Sequence, residues 1–189
     1  MAGATPRVAI VGAGLAGLTA ARRLADAGLA PVLFEKSRGL GGRLATRRAG
    51  DQLSFDHGAQ FITAKSPEFE AFLKAASEIG DAALWRPRLA DELKPAPDPW
   101  RVGAPGMSGL VSNLAAGLDI RLQTRIAGLT SVAGGWRIEC EDTAAAATFD
   151  SVILTAPAKQ TADLAETAGT PFPKAERAAL APCWALMAA

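Results

Sequence analysis

The chain has 189 residues, 49% of them hydrophobic and 21% charged, with a formal net charge of +1. That hydrophobic share excludes a disordered chain and supplies a core for one or two domains. Basic residues scattered among acids in near balance argue against nucleic acid or an anionic membrane as a partner.

Near the amino terminus, Val8-Ala9-Ile10-Val11 is a β-branched run that reads as a strand. Gly12, Gly14 and Gly17 come next and open into an apolar-periodic helix from Leu15 to Leu29. Strand, tight turn and helix in this order make a diphosphate cradle. The helix amino terminus offers unpaired amides and the positive end of its dipole, and glycines let a phosphate approach them. Gly12 suits the turn, Gly14 the close approach and Gly17 the packing of helix on strand. The next strand, Pro31 to Phe34, ends at Glu35, at about the 20-residue distance where an acid accepts hydrogen bonds from an adenosine ribose. A carboxylate there repels a ribose phosphate, so the sequence points to FAD or NAD rather than NADP.

Lys36-Ser37-Arg38-Gly39-Leu40-Gly41-Gly42-Arg43-Leu44 is too rich in glycine for a helix. It reads as an ordered loop whose amides, with the Arg43 guanidinium, form a second anion-binding concavity. A short strand is expected at Leu53 to Asp56. Ser66-Pro67 then starts a helix with Phe69, Phe72, Leu73, Ala76 and Ile79 on its apolar face, ending at Gly80. Lys94 to Pro99 holds three prolines and reads as a turn or hinge. Ser108 is the expected cap of a helix carrying Leu110, Val111, Leu114 and Ala115. Asp119 to Leu122, Gly128 to Val132, Trp136 to Cys140 and Thr148 to Phe149 read as an antiparallel meander. Val152 to Thr155 is apolar enough to rejoin a central parallel sheet, with Pro157 starting the next element.

Cys140 and Cys183 form no Cys-x-x-Cys pair, and His57 is the sole histidine. The expectation is no metal and two buried thiols. No apolar stretch reaches the about 18 residues of a membrane span, and the apolar residues from Val8 to Ala21 serve the glycine turn rather than a leader, so the expected location is the cytoplasm.

The run from Gly12 to Leu18, Glu35, and Arg38-Gly39-Leu40-Gly41-Gly42-Arg43 resembles the opening of the flavin amine oxidase superfamily. Phe55-Asp56-His57-Gly58-Ala59-Gln60-Phe61 is similar to the renalase-like bacterial FAD oxidoreductases within it. The resemblance implies an α/β fold: a Rossmann-type FAD-binding parallel sheet with an antiparallel β-meander and an incomplete substrate lobe. It implies FAD as cofactor, with contacts from Gly12, Ala13, Gly14, Leu15, Ala16, Gly17, Glu35, Lys36, Gly42, Arg43, Leu44, His57, Gly58, Ala59 and Gln60. The Gly42-Arg43 loop falls on the diphosphate and the His57 to Gln60 segment near the flavin ring.

The expected layout is an FAD-binding domain in 1–61, a substrate lobe begun in 62–104, the return of the FAD domain with its meander in 105–160, and more of the substrate lobe in 161–189. Relatives of that family are longer. Pro182 to Met187 reads as a substrate-lobe strand, the chain as a truncated product, fragment or shortened homologue, and apolar surface around Trp184 and Leu186 as exposed or paired.

The expected activity is hydride transfer onto the flavin from an amine or a reduced nicotinamide-like small molecule, impaired where the missing half matters. The alternatives are an NAD-binding dehydrogenase and a noncatalytic nucleotide-binding remnant. No catalytic residue is assigned. His57 hydrogen-bonds the flavin, steers a substrate or merely ties its own loop, Gln60 either donates to a flavin carbonyl or bonds within the loop, and Asp56 either exchanges protons or caps or braces the Gly58 turn. The four tryptophans read as core anchors. Substrate, electron acceptor and oligomeric state are not encoded in any motif.

Overall fold

The computed structural model describes residues 5–50, 52–87, 99–141 and 147–188. In chain order the elements begin with β1 (Val8–Val11), α1 (Leu15–Asp26), β2 (Val32–Phe34), a 3-10 turn (Gly42–Leu44), β3 (Thr46–Ala49) and β4 (Leu53–Asp56). Next come α2 (Pro67–Glu78), β5 (Ala82–Trp85), β6 (Trp100–Gly103), a 3-10 segment (Met107–Val111) and α3 (Ser112–Ala115). The remainder is β7 (Asp119–Arg121), β8 (Ile126–Val132), β9 (Gly135–Cys140), β10 (Ala147–Phe149), β11 (Ser151–Leu154), α4 (Ala158–Thr167) and α5 (Pro173–Glu176). Two compact units result: the residues up to Gly42 with Leu114–Trp184, and Arg43–Asn113 with the residues after Trp184.

In the first unit β11, β1, β2 and β7 form a parallel sheet in that order. All four residues of β1 are buried, as a central parallel strand requires, and this accounts for its unbroken apolar run. Helix α1 packs on β1 and β2, burying Gly17, Leu18 and Ala21. An antiparallel sheet of β10, β9 and β8 adds a second layer. Ala9, Val11 and Phe34 of the parallel sheet share one core with Ile126, Leu129, Ile138 and Phe149 of the meander and Leu164 of α4. The rings of Phe34 and Phe149 meet edge to face, 5.8 Å apart at 88°, the arrangement favoured by their opposed quadrupoles.

The strand at Asp119 is a correction to the expected meander. It pairs parallel with β2, Phe34 opposite Arg121, and so extends the Rossmann-like sheet. Three residues of alternating exposure look alike in either sheet type; the crossover before them, not their pattern, selects the partner.

In the second unit β3 and β4 form a hairpin with Thr46 opposite Asp56, and β5 pairs antiparallel with β6. Helix α2 starts as its sequence dictates, with the Ser66 hydroxyl accepting the Phe69 N–H at 3.2 Å and Pro67 in the first turn. Gly80, at φ +86°, turns the chain out of it. Phe61 stacks on Trp100 at 4.0 Å. Ser108 is no helix cap: Gly106 takes that position, and Ser108 sits inside the 3-10 segment with its N–H and hydroxyl donating to the Thr46 hydroxyl, both at 3.1 Å.

Residues 178–188 have no regular structure, so Pro182 to Met187 is not the expected strand. Trp184 and Leu186 are 93% and 94% exposed, which matches the apolar surface expected there, but Trp184 and the likewise exposed Trp85 are not the expected core anchors. Cys140 is half-buried and Cys183 exposed, not two buried thiols, because Cys183 lies on this unpaired stretch. The Lys94 to Pro99 turn lies outside the described residues except at Pro99. Among the described residues no helix is long and apolar enough to cross a membrane.

The Phe34–Phe149 contact carries the joint between parallel sheet and meander. Phe149→Ala is expected to lower unfolding free energy by about 3–5 kcal/mol, measured by urea denaturation, whereas truncating the exposed Leu186 leaves the midpoint unchanged.

Candidate functional site

At the carboxyl edge of the parallel sheet, β1 runs straight into the first glycine turn. Gly12 adopts φ +106°, and a Cβ there would lie 2.8 Å from the Thr155 hydroxyl oxygen. At Gly17 a Cβ would collide with the Gly12 carbonyl. Both glycines are therefore required by the fold itself. Gly14 is different: it has ordinary extended angles, φ −81° and ψ −178°, and a Cβ would meet nothing nearer than the Gly41 carbonyl oxygen at 3.8 Å. Among the described residues nothing demands a glycine here. Gly14 is also the N-cap of α1 and supplies no side-chain cap, so the amides of the first turn beyond it have no helical partner.

Glu35 is buried, 8% exposed, at the end of β2. Its Oε2 accepts the Ala13 N–H and its Oε1 the Ser37 N–H, each at 2.8 Å. The carboxylate thus joins the two glycine loops, and each oxygen keeps a further lone pair. A second tie runs from the Gly41 N–H to the Ala13 carbonyl at 2.9 Å, and Gly14 and Gly41 form an isolated parallel bridge. Residues 36–41 are the ordered, non-helical loop expected over Lys36 to Leu44, but Gly42–Leu44 close it with a 3-10 turn. Gly12, Ala13, Gly14, Leu15, Ala16, Gly17, Glu35, Lys36 and Gly42 all belong to the first unit, and Lys36 reaches Gln160 of α4 at 3.3 Å.

Arg43, Leu44, His57, Gly58, Ala59 and Gln60 belong to the second unit. The Arg43 carbonyl accepts the Ala59 N–H at 2.8 Å, and a Cβ on Gly58 would run into that same carbonyl. The segment from His57 to Gln60 is therefore latched to the main chain of Arg43. Leu44 is buried, while Arg43, His57 and Gln60 are exposed. Asp56 does not brace the Gly58 turn; its Oδ1 accepts the Thr46 hydroxyl at 2.6 Å and the Met107 N–H at 3.0 Å. Among the described residues no three of His, Cys, Asp and Glu gather as a metal site would need.

Thr155 is the residue the motifs missed. It stands just past β11 with its hydroxyl oxygen 2.9 Å from the Val11 carbonyl and 3.1 Å from that of Gly12. The signal that would have found it is a hydroxyl residue at the carboxyl end of an apolar parallel strand, the edge where such sheets bind ligands.

Residues 10–76 match the model of an NAD(P)-binding Rossmann-like domain, and residues 80–187 match that of flavin containing amine oxidoreductases. A 15-cis-phytoene desaturase of Synechococcus elongatus is 38% identical over 80 residues, 42% of this chain and 17% of the desaturase. A carotenoid phi-ring synthase of Streptomyces griseus is 51% identical over 43 residues, 23% of this chain and 8% of the synthase. Among solved structures, a candidate protoporphyrinogen oxidase from Exiguobacterium superposes with a TM-score of 0.70 at 16% identity, covering 93% of this chain and 64% of that one. A fatty acid isomerase from P. acnes superposes with a TM-score of 0.65 at 14% identity, covering 86% and 62%. The chain thus spans under a fifth of the curated relatives and less than two thirds of the structural ones.

The contrast between two glycines is testable. Gly14→Ala is expected to change stability by less than about 1 kcal/mol but to weaken adenine dinucleotide binding by about tenfold or more, as loss of an anion contact does. Gly17→Ala is expected to cost about 3 kcal/mol by overpacking. Thermal melts and titration calorimetry on both variants separate the two roles.

Proposed function

Because the chain belongs to the flavin containing amine oxidoreductase family, we propose that it serves as an FAD-dependent oxidoreductase of the renalase-like type, acting on an amine or a reduced nicotinamide-like small molecule. The family is flavin-containing, and FAD is its cofactor. The observation that carries the reading is Gly14, a glycine the fold does not need, at the uncapped start of a helix.

The residues of the first unit fit the adenosine and diphosphate end of FAD. Gly12 turns the chain, Gly14 leaves the first-turn amides of Leu15, Ala16 and Gly17 open to an anion, and the loop through Gly42 flanks Ala13. Glu35 holds both loops and has lone pairs left for the ribose, while its charge disfavours a ribose phosphate and so NADP. Arg43 and the latched segment His57-Gly58-Ala59-Gln60, in the second unit, are assigned to the diphosphate and to the flavin side by the family resemblance alone. When bound, the flavin supplies the electron sink that takes a hydride from the substrate. The chain's own residues bind and orient; no proton transfer is assigned to any of them. A near-neutral charge supports a small molecule as substrate, and neither nucleic acid nor a membrane surface, in a cytoplasmic protein.

The purified chain incubated with FAD and then desalted is expected to stay yellow, with blue-light absorption that NAD and NADP do not displace. A colourless protein that binds NAD alone overturns the reading in favour of a dehydrogenase. One that binds no dinucleotide overturns it in favour of a noncatalytic module.

A further inference from the structure

The peptide plane between Gly12 and Ala13 is held at both edges, and one holder lies outside every glycine motif. On one edge, the Gly12 carbonyl oxygen stands 3.1 Å from the Thr155 hydroxyl oxygen, which is also 2.9 Å from the Val11 carbonyl oxygen. Carbonyl oxygens only accept, so the single hydroxyl proton is directed at this pair. Thr155 is itself anchored, its N–H donating to the Val11 carbonyl at 3.0 Å. On the other edge, the Ala13 N–H donates to Glu35 Oε2 at 2.8 Å. In a trans peptide these two groups point in opposite directions, so a hydroxyl and a carboxylate on opposite sides fix the rotation of the plane. The next plane is caught at the Ala13 carbonyl by the Gly41 N–H at 2.9 Å. These ties set the orientation of the Gly14 amide and of the first turn of α1.

We propose that Thr155 is a positioning residue for the diphosphate, its hydroxyl holding the Gly12–Ala13 peptide so that the open amides of α1 are presented as one anion site. This rests on the dinucleotide reading above. The same hydroxyl occupies the space that a Cβ on Gly12 or Gly17 would need, 2.8 Å from either, so the two features of the turn, bare glycines and fixed peptide, converge on one side chain. Thr155 touches only the protein and acts on a ligand through the main chain.

The test compares ADP with adenosine, which differ by the diphosphate alone, using calorimetry on the full chain and its variants. Thr155→Val keeps the shape and removes the donor. It is expected to weaken ADP binding by about tenfold, the worth of one well-placed hydrogen bond, with adenosine binding and the blue absorption maximum of added FAD unchanged. Thr155→Ser keeps the hydroxyl and is expected to restore the ADP to adenosine ratio. If Thr155→Val fails to fold, Thr155→Ala is measured in the same way. An unchanged ratio, an equal loss for both ligands, or unfolding of both variants assigns Thr155 to the fold alone and overturns the proposal. A wild-type chain that binds neither ADP nor FAD overturns the dinucleotide reading itself, an outcome distinct from an unmoved ratio in a chain that binds both.

Discussion

A strand buried on both faces has no place for polar chemistry except its ends. β1 is such a strand, and its carboxyl end is where the chain turns through Gly12 into α1. Burial on either side fixes β1 against β2 and β11, and these neighbours deliver Glu35 and Thr155 to the same turn. One constraint thus places three polar features side by side without any of them being close in sequence.

The Glu35 carboxylate shows how such an end is kept in order. Burying a charge is costly unless its oxygens are paired, and here both take main-chain amides from different loops. The acid therefore has a task in the protein that precedes any contact with ribose. A neutral side chain of similar length could satisfy one of those amides but would set a donor against the other.

How much of this was legible depended on how local each cause was. β1, the opening of α1 and the cap of α2 at Ser66 are written in short spacings, and the structure places them there. β11 was legible because Val152-Ile153-Leu154 has the length and unbroken apolar character of a parallel strand, and it takes the edge of the sheet beside β1. β7 was not, since Asp119-Ile120-Arg121 fits either sheet and its neighbour is chosen by the chain before it. Thr155 was read only as the end of a strand; its partner Val11 is 144 positions away, beyond any motif window. Ser108 carried a sound capping residue type, yet Gly106 started the turn and Thr46 took its hydroxyl. Pro182 to Met187 was read as a strand, but a strand exists only with a ladder partner, and among the described residues none pairs with it.

The side-chain tie at Asp56, Thr46 and Ser108 sets the scale of motion in the second unit. Thr46 and Asp56 are cross-strand partners at the end of the hairpin nearest His57, and the same two side chains hold the Met107 and Ser108 amides. None of these segments can peel away singly without orphaning a polar atom beside the others. Opening the hairpin at this end therefore also takes from the 3-10 segment the acceptors of its Met107 and Ser108 amides, which couples the opening of the two.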